Sequence, residues 1–494
     1  MDNITQYYIV IAVYFIAMLG FGFFFSNKNK NDKDYFLARG KLGPAVIGFS
    51  FSATQMSGST YMGAIGSVKV LGFNFIPAAI SSAAAPWFSY ILVGDRMRKI
   101  SARLKSVTPA DVLEARYYSK SVSLIASIIM LIAFVPMIAA QLKAAANTFE
   151  VILKIPYLPG LFLFGGIVIV YTVLGGMFAV AWTDLIQGIL MIAGFAILAP
   201  VAVNAAGGFA EMHQKYTAIN PKGMDFTGIM PLMWVISAFL VWGFFQIGGQ
   251  PASVVRFLIP ADDKTLRKAM VYSVLFQSFI FICFSILAVS GGVLLPDLKQ
   301  VDLTVPMMIE KLLPPILGGV VLAGALGAMM STVDSVLLLA GALVVENVYK
   351  KFTKTEPDEK KTLNLGRIVT LVIGLLGLAV AINPPAAILW IVTMSFSLMA
   401  SAFTFPLLLG LWWPGATREG GIAGMIGGAV MCVVWYVIGF MQYNNFNNWM
   451  GGIWPAIIGP AVSLVLLIVV SKLTKPTPAE VQKVFFDDIL VESK

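Results

Sequence analysis

Ser50-Phe51-Ser52-Ala53-Thr54-Gln55-Met56-Ser57-Gly58-Ser59-Thr60 interrupts a long apolar run with small and polar residues. The run around it, near 43–69, is long enough to cross a hydrocarbon layer of roughly 30 Å as a helix. Polar groups at that depth are costly unless something satisfies them. The stretch therefore reads as a broken helix facing a cavity inside the protein; the plainer alternative is that Gly and Ser only let helices pack closely. A second interrupted run, near 229–255, contains Trp242-Gly243-Phe244-Phe245-Gln246-Ile247-Gly248-Gly249-Gln250-Pro251.

The rest of the chain has the same character. Of 494 residues, 58% are hydrophobic and 12% charged, against about a quarter charged in soluble domains. The apolar runs do not alternate as barrel strands would, so the predicted fold is an all-α integral membrane protein. About thirteen spans are expected, near 5–26, 43–69, 72–94, 121–148, 158–180, 183–206, 229–255, 269–294, 314–346, 366–384, 386–412, 420–441 and 452–472. The first lacks a small-residue cleavage site and reads as a retained helix. Residues 1–472 form a single transmembrane domain, and 473–494 a polar cytoplasmic tail. The outside loop 207–228 and the charged inside segment 350–365 are too short to hold a core of their own.

The net charge of +9 sorts by loop. Lys28, Lys30, Lys33, Arg39 and Lys41 follow the first span; Arg96, Arg98, Lys99, Arg103 and Lys105 the third; Arg256, Lys264, Arg267 and Lys268 the seventh; Lys350, Lys351, Lys354, Lys360 and Lys361 the ninth. Positive loops face the cytoplasm, which predicts an outside N-terminus, an inside C-terminus and an inner (plasma) membrane location. This sorting argues against a nucleic-acid partner. Cys283 and Cys432 lie in apolar spans, and His213 is the sole histidine. Metal or haem chemistry has few ligands here, no phosphate loop is visible, and no nucleophile set converges, so neither an enzyme nor an organic cofactor is expected.

The two interrupted runs are five spans apart. Paired repeats, each opening with a broken helix, build many secondary transporters, and an odd number of spans per repeat inverts the second copy. The unwound backbone releases carbonyls suited to a hard cation, and the restarted helix carries partial positive charge suited to a carboxylate. Gly58 is expected to ease the unwinding. Ala328-Met329-Met330-Ser331-Thr332-Val333-Asp334-Ser335 brings oxygen-bearing side chains into little more than one helical turn. The hydroxyls alone can bond back to the preceding turn. Asp334 is harder to dismiss, since burying it in lipid costs roughly 3 kcal/mol on insertion scales. Gly175-Gly176-Met177-Phe178-Ala179-Val180-Ala181-Trp182-Thr183-Asp184-Leu185-Ile186-Gln187 joins two spans, and Asp184 is open to two roles, cation ligand or helix cap. Gln141 is placed deep enough to face the cavity, while Lys143 is expected to reach the outer surface.

These stretches, with Asp34-Tyr35-Phe36-Leu37-Ala38-Arg39-Gly40-Lys41-Leu42-Gly43 and Arg256-Phe257, resemble the sodium:solute symporter family over nearly the whole chain. The resemblance implies a LeuT-type 5+5 inverted repeat, the first near 43–206 and the second near 229–412, with extra helices 5–26, 420–441 and 452–472. It implies alternating access coupled to Na⁺. The main sodium site would use the carbonyls of Ala53, Met56 and Ala328 with the hydroxyls of Ser331 and Thr332. A second cation site, held by some members, would fall at Asp184, Ser331, Asp334 and Ser335, with Asp334 standing where a hydroxyl is usual. Expected solute contacts are Gln55, Ser57, Thr60, Gln141, Trp242, Phe245 and Gln246. Leu303-Thr304-Val305-Pro306, Leu312-Leu313-Pro314-Pro315, Pro384-Pro385 with Ile388 and Trp390, and Pro406 to Leu411 are most similar to pantothenate-carrying members. A monocarboxylate or proline is the alternative cargo. A passive channel and a transporter-like sensor are the alternative classes; clustered rather than continuous polar groups argue against the first, and the short tail against the second.

Overall fold

The computed structural model describes residues 3–26, 31–225, 228–353 and 358–487. Lys28, Lys30 and Lys354, counted among the basic loop residues above, and the end of the tail lie outside them. The described residues are helical, with no strand among them. We label the main helices α1 (Asn3–Ser26), α2 (Pro44–Gln55), α3 (Ile65–Leu71), α4 (Gly72–Leu104), α5 (Lys120–Ile152), α6 (Tyr157–Ala205), α7 (Leu232–Trp242), α8 (Asp263–Leu294), α9 (Pro315–Ala342), α10 (Glu359–Ile382), α11 (Ile388–Trp412), α12 (Arg418–Tyr443) and α13 (Pro455–Leu473). Among the described residues, ten helices are long and apolar enough to cross a membrane.

The predicted spans near 158–180 and 183–206 are two helices joined without a loop within the 49 residues of α6. Straight, it would measure about 74 Å at 1.5 Å per residue, more than twice the hydrocarbon thickness. It folds back instead at Gly176, whose φ of 61° suits glycine. The packing against α1 records the reversal. Phe15 meets Phe164 and Gly22 lies against Tyr171, so the first half follows α1, and Phe25 meets Phe178 just past the turn. Gln187 then reaches Met18 and Tyr14, so the second half runs the other way.

The spine of the molecule is α9. Its most apolar window is 94% buried, against 33% for α1. Small residues make this possible. A Cβ on Gly319 would lie 2.9 Å from the Val10 side chain, and one on Gly324 would lie 2.6 Å from the Leu190 carbonyl oxygen. Such close approach is what glycine supplies between membrane helices. Outward faces carry large apolar residues instead, including Ile16, Ile132, Leu275 and Ile282.

Some local structure was not foreseen. Pro109–Tyr117, Phe209–Ile219 and Thr304–Leu312 are helices outside the predicted spans. The first has a capping box between Thr108 and Asp111, a signal readable from sequence. The tail does not trail free at 485–486: Phe485 is buried, and the Arg116 guanidinium lies over the Phe485 and Phe486 rings. Lys143 is half-buried and reaches the connections between α10 and α11 and between α8 and α9, donating to the Ala386 carbonyl at 2.8 Å and standing 3.7 Å from Asp302. Arg256, grouped above with cytoplasmic loop charges, is 1% exposed. The free thiols of Cys283 and Cys432 are both buried.

Candidate functional site

The helix interrupted at Met56 restarts almost at once. Met56 leaves helical geometry with φ −80° and ψ 106°, and a wide turn over Ser59–Ala64 leads into α3. A restarted helix has backbone N–H groups with no partner in the preceding turn. Here they are satisfied locally. Gly58 N–H donates to Gln141 Oε1 at 2.6 Å, Ser59 N–H to Ser57 Oγ at 3.2 Å, and Thr60 and Tyr61 N–H to the Ser57 carbonyl at 2.9 and 3.0 Å. Gln141 thus holds the break from α5. Gly58 is needed for space rather than for unusual dihedrals: its φ is an ordinary −55°, and a Cβ there would lie 2.7 Å from that of Ala144.

The hydroxyl turn of α9 docks on the last turn of α2. Ser331 Oγ donates to the Ala53 carbonyl at 2.9 Å and lies 3.2 Å from the Ala328 carbonyl. Thr332 Oγ1 stands 3.2 Å from both the Thr54 and Ala328 carbonyls. Four residues expected at the main sodium site therefore meet in one buried cluster. Met56, the fifth, is buried at the break, and the Thr332 hydroxyl reaches Thr54 instead of Met56.

One turn further along α9 the chemistry changes. Arg256 follows the second break, in a short turn over Val255–Leu258. Its Nη2 lies 3.2 Å from Asp184 Oδ2 and 2.6 Å from Ser335 Oγ, its Nε donates to Ser50 Oγ at 3.0 Å, and its Nη1 to the Ala252 carbonyl at 2.8 Å. Ser50 Oγ in turn donates to Asp184 Oδ2 at 2.5 Å. Asp184 is fully buried, away from any helix start, so it is an ion-pair partner and not a cap. Leaving either charge buried alone would cost several kcal/mol, roughly 3–5 on removal of its partner. Asp334 accepts from the Tyr171 hydroxyl and, at 3.2 Å, from Ser335 Oγ.

A cavity lies between the two interrupted helices. Gln55, Met56, Ser59 and Thr60 line it from the first and Trp242 and Gln246 from the second. Phe75, Ala78, Ala79 and Ser82 of the α4 region, Phe281 and Phe284 of α8, and Leu389 of α11 complete the wall. Its open space is about 30 Å³, room for a water or two. Of the expected solute contacts, Gln55, Thr60, Trp242 and Gln246 line this cavity. Ser57, Gln141 and Phe245 do not: Ser57 bonds Ser59 Oγ at 2.7 Å, Gln141 holds Gly58, and Phe245 packs on Phe244 and Phe405.

Sequence reading missed Gln277, whose Nε2 donates to Gln55 Oε1 at 2.6 Å. A glutamine within an apolar run, with Phe281 and Phe284 on the same face one and two turns on, was the available signal. Among the described residues, Trp242 Nε1, Gln246 Oε1 and Gln277 Oε1 are buried without hydrogen-bond partners. Of these, Trp242 and Gln246 line the cavity and present to it one donor and one acceptor.

Known proteins bear on this arrangement. The sequence pattern of the sodium:solute symporter family matches residues 35–428. The chain is 28% identical to the sodium/pantothenate symporter of Escherichia coli strain K12, covering 88% of this chain and 92% of that one. It is 30% identical to the osmoregulated proline transporter OpuE of Bacillus subtilis strain 168, covering 94% of each. It is also 30% identical to a sodium/proline symporter of Staphylococcus aureus, covering 97% of this chain and 95% of that one. Among solved structures, a Na⁺-coupled sialic acid symporter in its substrate-bound outward-open state superposes with a TM-score of 0.82 at 21% identity, over 96% of this chain and 99% of the other. The chain is a multi-pass membrane transporter, and it belongs to the sodium:solute symporter family.

Proposed function

We propose that this carrier performs Na⁺-driven symport of a small organic carboxylate such as pantothenate. The observation that carries the reading is the cluster of Ser331 and Thr332 hydroxyls on the Ala53, Thr54 and Ala328 carbonyls. Two helices far apart in the chain present hard oxygens to one another beside a break, which is the donor set that suits Na⁺. Na⁺ enters there as co-substrate, held by Ala53, Met56, Ala328, Ser331 and Thr332. For Met56 this requires its carbonyl to turn inward when the ion binds.

The solute sits against Gln55, Thr60, Trp242 and Gln246, with its carboxylate toward the helix start at Ser57–Thr60, whose partial positive charge favours an anion. Widening of the cavity brings Ser57, Gln141 and Phe245 into reach. The surrounding frame is a LeuT-type 5+5 repeat of thirteen crossings, with α6 crossing twice and each interrupted helix once. Its N-terminus is outside and its C-terminus inside, and the repeats and domain limits are those given under Sequence analysis.

Charge separates the cargo alternatives. One Na⁺ with zwitterionic proline carries one net positive charge inward, worth about 2.3 kcal/mol at 100 mV, or roughly a fortyfold gradient. One Na⁺ with a monoanion such as pantothenate moves no net charge and draws on the sodium gradient alone. The proline relatives at 30% identity support the first, and the pantothenate relative at 28% the second.

The test is reconstitution into liposomes with labelled pantothenate, proline, acetate, pyruvate and sugars, each with and without an inward Na⁺ gradient. Sodium-driven pantothenate accumulation is expected. Flux indifferent to the gradient for every solute would reject symport, and accumulation of proline or a simple monocarboxylate alone would reassign the cargo.

A further inference from the structure

We propose that the Arg256 guanidinium is the resident cation of the position beside Ser335, so that the carrier takes up a single Na⁺ per cycle, at Ser331 and Thr332. The inference rests on the sodium-coupled reading above and fixes its stoichiometry. A second Na⁺ would need oxygens from Asp184, Ser331, Asp334 and Ser335, and two of these residues, Asp184 and Ser335, already hold the positive guanidinium.

Ser335 Oγ contacts three partners: Arg256 Nη2 at 2.6 Å, Thr54 Oγ1 at 2.9 Å and Asp334 Oδ1 at 3.2 Å. The guanidinium takes a lone pair of that hydroxyl at the shortest of the three distances, so an ion approaching it would meet a like charge. Asp184 Oδ2 accepts from both Ser50 and Arg256. Asp334 accepts from Tyr171 and Ser335. Ser331 is committed to the Ala53 carbonyl and the main cluster. The one atom of the set left without a partner among the described residues is Asp184 Oδ1. A single oxygen beside a guanidinium is not a sodium site.

The tether also gives the charge a mechanical address. Two residues past Arg256, the Leu258 carbonyl accepts from Arg39 Nε at 3.1 Å, and Arg39 also grips the Ser101 and Ser106 carbonyls at 2.7 Å each. The built-in cation thus sits two residues from a clamp that ties Leu258 to Ser101 of α4 and to Ser106.

The experiment is coupling stoichiometry in proteoliposomes, from paired ²²Na⁺ and solute fluxes and from the sodium dependence of uptake. The wild type is expected to give a flux ratio and Hill slope of about one, because the slope cannot exceed the number of coupled sites. Arg256→Lys, which keeps the charge, is expected to hold that ratio. Arg256→Gln frees Asp184 and Ser335 and is expected to raise the slope toward about two. A wild-type ratio of two overturns the proposal and leaves sodium symport standing, as does a slope unchanged in a folded Arg256→Gln carrier. If Arg256→Gln does not fold, the wild-type ratio decides. Absence of any sodium dependence rejects symport itself, and this inference with it.

Discussion

Ser331 Oγ donates to the carbonyl of Ala53 at 2.9 Å, joining residues 278 positions apart in the chain. In this arrangement the hydroxyl proton occupies the line that a cation would take. On the proposed assignment, Na⁺ would turn the proton away and expose a lone pair, replacing a hydrogen bond instead of filling slack space.

Ser331→Ala removes a ligand without disturbing packing, since the oxygen is the main atom lost. Losing a hydrogen-bonding group to a charge costs about 1.5–3 kcal/mol, and 1.4 kcal/mol is a factor of ten. The sodium concentration for half-maximal uptake is expected to rise at least about tenfold. Uptake titrated against Na⁺ measures this, and an unchanged requirement rejects the ligand assignment.

Gln141→Leu keeps the size of the side chain and removes the acceptor for Gly58 N–H. A buried donor left unsatisfied costs about 1–3 kcal/mol. Thermal unfolding in detergent is expected to drop accordingly, with uptake reduced. A melting temperature equal to the wild type would show that the break is held by something else.

Gly248→Ala tests how tightly the second break is pressed against α11. A Cβ there would fall on the Thr404 backbone, 2.6 Å from its Cα. Overpacking of this kind costs about 1–3 kcal/mol. Transport is expected to fall sharply while membrane insertion, followed by surface labelling, is retained.

Asp302 lies in the short turn over Val301–Leu303, beside Lys143 and the Ile388 N–H. Burial pushes its carboxyl above the usual range, and Lys143 and the Ile388 N–H pull it back only in part. A folded-state pKa above the unfolded one means stability that is fully present below the ordinary aspartate value near 3.9 and is lost as pH rises through the folded value. Asp302→Asn is expected to flatten the dependence of melting temperature on pH just above that ordinary value. A slope identical to the wild type across that window would assign the pH dependence to other groups.

How far the sequence could be read depended on what each residue announces by itself. The two breaks were legible because Ser50 to Thr60 and Trp242 to Pro251 put polar groups where lipid forbids them. Ser331 and Thr332 were legible for the same reason. Arg256 was not, because an arginine shortly after an apolar run looks like any loop charge. The missing step was to ask what neutralises Asp184, since a buried carboxylate demands a partner. Gln141 was recognised as deep, but its task depends on a neighbouring helix that only the fold brings to Gly58. The two spans within α6 were legible, but their boundary was placed near 180–183 instead of at Gly176, because the turn consumes almost no residues and Gly175-Gly176 is the trace it left.

The latch between α9 and α2 bears on the return half of the cycle. A carrier that has released its cargo must travel back empty, and a floppy empty form would leak ions or stall. Ser331 and Thr332 donate their own protons to the opposing carbonyls, so α9 and α2 are fastened to each other by direct hydrogen bonds. Under the proposed sodium site, an empty return would have to part those two bonds, which sets a toll on the unladen journey that the ion's arrival would otherwise meet.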